Sequence, residues 1–133
     1  MKVMLDTNVL VSAVATRGLC ADVLREVLAD HELVTCRQIL SELRRILVDK
    51  FAAPSQLVND FARLVRRDSI HSEPAKLPPI KFKDEDDLEI LAAAISGGAD
   101  VLVTGDIEMQ SIGTVEGVRI MSPRQFWELL KET

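Results

Sequence analysis

Short apolar runs of strand character alternate along this chain with longer stretches of helical periodicity. That alternation leaves few folds open. The strand-like runs are Lys2 to Leu5, Leu33 to Thr35, Ser69 to His71, Val101 to Thr104 and Gly117 to Met121. Helices are expected over Val9 to Ala15 (capped by Thr7 or Asn8), Ala21 to Ala29 and Arg37 to Asp49, then from Pro54 onward and over Leu88 to Ser96. A last helix opens at Ser122, with Pro123 in its first turn and Gln125 three residues after the cap. Apolar stripes support these assignments: Val23, Leu24, Val27 and Leu28; Ile39, Leu40, Leu43, Ile46 and Leu47; Leu57, Phe61, Leu64 and Val65. The order predicts an α/β fold, a largely parallel sheet with helices on both faces. Pro74, Pro78 and Pro79 make Glu73 to Pro79 a loop. At 133 residues the whole chain, 1–133, suits one domain, so this loop lies inside it.

Composition removes several function classes. Sixteen Lys and Arg against 21 Asp and Glu give a net charge of −5, which argues against non-specific coating of nucleic acid or membrane. No apolar stretch approaches the roughly 20 residues of a membrane span. The N-terminal apolar run is broken by Asp6, so no signal peptide is expected there. Two cysteines, Cys20 and Cys36, are too few for a disulfide scaffold or a Cys-built zinc site, and a cytoplasmic protein with reduced thiols is expected. Two histidines, His31 and His71, offer no His-based metal spacing.

In parallel α/β sheets the ligand crevice lies at the C-terminal ends of the strands. Two strands here end in an acid: Asp6 in Asp6-Thr7-Asn8, and Asp106 in Thr104-Gly105-Asp106. Two helix flanks add others. At 100° per residue Glu42 sits one step from Leu43, the centre of its helix's apolar stripe. Within Asp84-Glu85-Asp86-Asp87, periodicity selects Asp87 as nearest the buried side, while Asp86 and Glu89 point outward and the rest are helix-start charges. Ala92, Ala93 and Ala94 let that helix approach the strands closely. Four converging carboxylates would repel one another unless a cation neutralised them. Hard oxygen ligands without His or Cys suit Mg²⁺ or Mn²⁺ rather than Zn²⁺. Such a site activates water and stabilises the leaving oxygen of a phosphodiester. Thr7, Asn8 and Thr104 are uncharged partners able to orient the acids.

These residues resemble the PIN domain. The resemblance rests on Asp6-Thr7-Asn8 after the first strand, Ser41-Glu42-Leu43, Asp87 ahead of Ile90-Leu91-Ala92-Ala93-Ala94, and Thr104-Gly105-Asp106 after Ala99 to Val103. It runs from residue 2 to about 128 and is closest to the single-domain prokaryotic group of VapC-like toxins. It implies a three-layer α/β/α sandwich and a metal-dependent endoribonuclease. The implied partners are an RNA substrate, a small antitoxin protein and a second copy in a homodimer. Carried over, the metal-binding and catalytic acids are Asp6, Glu42, Asp87 and Asp106, with Asn8 and Thr104 beside them and Glu108 as a weaker fifth acid. The chain departs from the pattern in one place: where relatives carry a Pro and a third consecutive Asp, it has Glu85 and Leu88. The resemblance therefore leaves Asp86 and Asp87 both open as ligand; periodicity favours Asp87.

Each residue also has an ordinary structural reading. Asp6-Thr7-Asn8 can cap a helix, Asp106 can serve a turn, and Glu42 can be a solvated helix acid. Jointly these readings must explain acids on two strand ends and two helix flanks. Arg37, Arg44, Arg45, Arg63, Arg66 and Arg67 are candidates for RNA phosphate contacts. With Phe51, Phe61, Phe82, Phe126 and Trp127 the only aromatics, extensive base stacking is not expected. Phe126 and Trp127 suit a core or dimer contact, and Met109 and Met121 suit packing. Two rivals remain. One is a non-catalytic PIN-like module that binds RNA or a partner. The other is an aspartyl phosphatase or receiver domain, disfavoured because Asn8 stands where such phosphatases carry a second Asp.

Overall fold

A computed structural model describes residues 1–81 and 84–132; Phe82 therefore lies outside the described residues. The elements follow in the order β1 (Lys2–Leu5), α1 (Thr7–Ala15), α2 (Leu19–Asp30), β2 (Glu32–Thr35), α3 (Arg37–Phe51), α4 (Ser55–Arg67) and β3 (Ser69–His71). Then come α5 (Glu85–Ser96), β4 (Val101–Val103), α6 (Ile107–Gln110), β5 (Thr114–Val115), β6 (Val118–Met121) and α7 (Pro123–Lys131). The strands form one sheet in the order β3-β2-β1-β4-β6-β5, parallel except for the β5–β6 pair. The expected α/β/α architecture with a mainly parallel sheet is therefore present.

Strand order fixes where a site can lie. From β1 the chain steps outward to β2 and β3, then returns past β1 to β4 and continues to β6. Parallel crossovers are right-handed. The outward crossovers thus place α1–α4 on one face, and the reversed step places α5 on the other. The direction changes between β1 and β4, which opens a crevice at their C-terminal ends.

The core is built as the apolar runs require. Val3, Met4 and Leu5 of β1, Val101 to Val103 of β4, and Leu33 and Val34 of β2 are all buried. Both faces of these strands are covered, which explains unbroken apolar runs rather than alternation. Ile39, Leu40, Leu43 and Leu47 bury the inner face of α3. Phe126 is fully buried, so it is a core residue. Trp127 is half-buried, with the Lys131 ammonium 4.9 Å from its ring centroid. Met109 and Met121 pack in the core as expected. Cys20 and Cys36 are free thiols, and no single described helix is long and apolar enough to cross a membrane.

Some expectations need correction. The cap of α1 is Asp6, not Thr7 or Asn8: its backbone is extended and its side chain accepts from the Thr7 N–H at 2.7 Å. In α4 the buried residues are Val58, Ala62 and Val65, while Leu57 and Leu64 are exposed. Two apolar stripes lie side by side on this helix, and the smaller set packs toward α3 and β3. Leu28 of α2 is likewise exposed. Nearly every residue of α5 from Leu88 to Ala94 is buried, well beyond one stripe, because the alanines seat it against the sheet.

Gly97, which ends α5, shows how tight this seat is. A Cβ there would stand 2.9 Å from both Ser72 Cβ and Val34 Cγ1. Ser72 is itself held by its hydroxyl, which donates to the Ala93 carbonyl at 2.8 Å. Gly97→Ala should therefore cost about 1–3 kcal/mol by overpacking. Gly105→Ala, whose Cβ meets nothing within 4 Å, should leave stability unchanged. Urea unfolding midpoints compare the two; equal midpoints would contradict the packing argument.

Candidate active site

Four elements deliver carboxylates to the C-terminal ends of the central strands. Asp6 follows β1 directly, and its backbone N–H donates to the Val103 carbonyl at 3.0 Å, tying it to the end of β4. Asp106 follows β4 at the next strand end. Glu42 lies in the second turn of α3, and Asp87 in the first turn of α5.

Thr104 joins the two strand-end acids. Its hydroxyl donates to Asp6 Oδ2 at 2.8 Å and accepts from the Asp106 N–H at 3.1 Å. Thr7 plays a matching part toward α3: its hydroxyl donates to Glu42 Oε1 at 2.9 Å. Asp6 is thus held through both oxygens, by the Thr7 N–H and the Thr104 hydroxyl. Asp106 Oδ1 accepts from the Glu108 and Met109 N–H groups and caps α6. Capping explains these last bonds; it does not explain why four acids share one place.

Electrostatics show how closely they share it. Burial pushes the Asp6 carboxyl above its usual range; the bonds from Thr104 and Thr7 oppose this, and Asp106 adds to it. Burial also raises Glu42, which the Thr7 hydroxyl opposes while Asp6 and Asp86 push it further up. Asp87 is pushed up to about 7, first by desolvation and then by Asp84, Asp6, Asp106 and Glu42. Each of the four acids therefore lies in the field of at least one other. Among the described residues none of them pairs with a Lys, Arg or His.

The donor chemistry fits a hard divalent cation, since it consists of carboxylates and hydroxyls. Burial pushes the nearby Cys36 thiol up, which favours its neutral form. Among the described residues no three acidic, His or Cys side chains stand close enough to enclose an ion. Repulsion between unneutralised carboxylates opposes such closure.

The supporting residues separate. Thr104 lies between Asp6 and Asp106. Asn8 is exposed in the first turn of α1, with no side-chain hydrogen bond among those described. Glu108 is exposed on α6 and meets Asp106 through its backbone N–H. Asp86 is exposed while Asp87 is half-buried, although Asp86 does reach Glu42 electrostatically.

Gln110 escaped the sequence reading, and Asp84 was read only as a helix-start charge. Gln110 donates from Nε2 to the Thr104 carbonyl at 2.8 Å, steadying the strand end from α6. A four-residue helix carries no periodicity, so nothing in the sequence marked it. Asp84 is the N-cap of α5 and the largest charge acting on Asp87. Its spacing of three residues from Asp87 was the available sign, because such residues are neighbours on a helical turn.

Comparison with known proteins bears on the fold and the family. The chain is similar in structure to VapBC2 from Rickettsia felis, a complex bound to a DNA fragment from its promoter. The TM-score is 0.63 at 14% identity, covering 92% of this chain and 98% of that one. It is also similar to VapBC-1 from nontypeable Haemophilus influenzae, with a TM-score of 0.64 at 20% identity, covering 93% and 99%. At these identities the likeness establishes the fold. No curated protein matches the sequence. The family profile of the PIN domain matches residues 2–108, which take in all four acids and both of their threonine partners. The motifs, the sheet order and that match agree: the chain belongs to the PIN domain family.

Proposed function

We propose that this protein is a metal-dependent endoribonuclease and the toxin component of a toxin–antitoxin pair. The observation that carries the reading is the set Asp6, Glu42, Asp87 and Asp106 at the β1/β4 crevice, in mutual repulsion and without a basic partner. Membership of the PIN family and the structural likeness to VapBC proteins support it. The likeness to VapBC proteins also favours an antitoxin as partner; a homodimeric assembly and a cytoplasmic setting belong to the same proposal and rest on the sequence reading alone.

Asp6, Asp87 and Asp106 would hold Mg²⁺ or Mn²⁺, with Glu42 as a direct or water-linked fourth acid. When bound, such an ion supplies charge neutralisation and Lewis acidity toward a phosphodiester. The chain's own residues prepare for it. Thr104 and Thr7 each use a single hydroxyl proton to fix one carboxylate oxygen, so the acids are oriented beforehand. Asp87, with its affinity for a proton near neutral pH, is the group suited to exchange that proton for a cation. Asn8, two residues after Asp6 and exposed, would donate to a substrate oxygen.

One observation favours the rival reading of a non-catalytic module: no three described side chains enclose an ion. Calorimetric titration with Mn²⁺ separates the two. Binding in the micromolar to millimolar range, together with Mn²⁺-dependent cleavage of single-stranded RNA, is expected of the nuclease. Absence of binding at millimolar Mn²⁺ would leave the module.

A further inference from the structure

A second charged feature lies outside the acid site. Arg37, Leu40, Ser41 and Arg44 follow one another at positions i, i+3, i+4 and i+7 and so share a face of α3. With Arg66 of α4 and His71, the last residue of β3, they line a small cavity of about 110 Å³. Among the described residues, none of the three arginine side chains has an ion pair. Other arginines nearby are engaged: Arg67 with Asp68, and Arg63 with Asp60. Three unpaired guanidinium groups on one concavity repel each other in the absence of an anion, and a chain of net charge −5 has acids to spare for them.

One acid does approach. Glu73 Oε1 accepts from His71 Nε2 at 2.7 Å and from the Arg37 backbone N–H at 3.3 Å. It thereby satisfies the first turn of α3, where Cys36 supplies no side-chain cap, and leaves the guanidinium groups unpaired.

The cavity's size and position suit a phosphate group. Its volume of about 110 Å³ admits one tetrahedral oxyanion. It lies beside the C-terminal end of β3, two strand positions from β1 and on the same side of the molecule as Asp6. Two strand spacings are about 10 Å, a span that a single strand of nucleic acid covers within a few nucleotides. Glu42 and Arg44 are two residues apart on α3, so the acid site and the basic cavity share one rigid support. Forked guanidinium donors with a hydroxyl are suited to a phosphodiester.

We propose that this cavity is a phosphate subsite, gripping the backbone of a single-stranded RNA a few nucleotides from the bond presented to the acids. The proposal rests on the nuclease reading above and adds where the strand is held and in which direction it runs, from β1 toward β3. Arg44 and Arg66 are positioning residues here; the phosphate they hold is not the one cleaved.

The test uses the full chain and a short fluorescein-labelled single-stranded RNA, with EDTA present so that binding is read without cleavage. Arg44→Ala/Arg66→Ala should weaken binding by at least tenfold, equally for two unrelated sequences. It should also make the slope of log affinity against log salt shallower by about 0.7, the value for one phosphate on a single strand. Mn²⁺ affinity and thermal unfolding should stay as in the wild type. Unchanged RNA affinity and slope would overturn the subsite. So would retained RNA binding with loss of binding to poly-glutamate, which would assign the cavity to an acidic protein segment. Mn²⁺-dependent cleavage by the wild type is measured in parallel. Weakened RNA binding in the variant without any wild-type cleavage would refute the nuclease reading and leave the phosphate subsite standing.

Discussion

Asp6→Asn is expected to abolish divalent-cation-dependent RNA cleavage while leaving the protein folded. Asn matches Asp in size and keeps one oxygen for the Thr7 N–H that Asp6 now accepts at 2.7 Å. The Thr104 hydroxyl loses an ionised acceptor but can take the new amide as donor, so the cost to folding is about 0.5–1.5 kcal/mol. The effect on the site is larger. Asp6 is the deepest of the four acids, raised by burial and fixed through both oxygens. Its charge is aimed, and replacing it removes a pre-oriented ligand. A loss on the order of 10²–10³-fold in rate or more follows from removing one preorganised electrostatic group. Cleavage assays at saturating Mn²⁺, with circular dichroism as the check on folding, decide the matter. A folded Asp6→Asn protein with wild-type activity would end the metal-centre reading.

Asp87→Asn should have two opposed effects: inactivity, and a more stable protein when divalent cations are absent. The sign follows from the carboxyl's displacement from 3.8 to about 7, caused first by desolvation and then by Asp84, Asp6, Asp106 and Glu42. A carboxyl raised on folding binds its proton more tightly in the native state. Native stability from this group is therefore full below pH 3.8 and is lost progressively as pH rises toward 7. At face value the displacement corresponds to roughly 4 kcal/mol; screening at a half-exposed position lowers this to about 1–2 kcal/mol. With EDTA at pH 8, Asp87→Asn should raise Tm by roughly 3–8 °C, and at pH 4 it should change nothing. Millimolar Mn²⁺ should stabilise the wild type and narrow the gap, because an ion bound only by the native state adds stability by mass action. A variant less stable than wild type at pH 8 in EDTA would show that Asp87 is held by favourable contacts rather than strained by its neighbours.

Much of this was legible in the residues because strand ends and helix flanks obey simple periodicities. Met4-Leu5-Asp6 and Leu102 to Asp106 read as buried strands ending in acids, and the sheet places both at the reversal of strand order. The 100° step selected Asp87 over Asp86, and the structure leaves Asp87 half-buried and Asp86 exposed. The rest depended on information that local pattern does not hold. On α4, Val58-Ala62-Val65 and Leu57-Phe61-Leu64 satisfy one period equally, and only the neighbouring α3 and β3 decide which turns inward. Helix α6 and strand β5 are four and two residues long, too short to establish any period. The cap of α1 moved to Asp6 because a carboxylate at the end of a strand serves the next helix as readily as a ligand. The two uses leave the same mark in the sequence.

The margins of the sheet bear on which surfaces are open to another chain. One border is β3, with three residues, and the other is β5, with two. Borders this brief offer few open amide groups, so they make poor templates for recruiting a further chain by backbone pairing. A homodimer, if formed, would use helical surfaces such as the outward side of α4, where Leu57 and Leu64 lie uncovered. Crowded solutions of the folded protein should stay free of fibrils for the same reason.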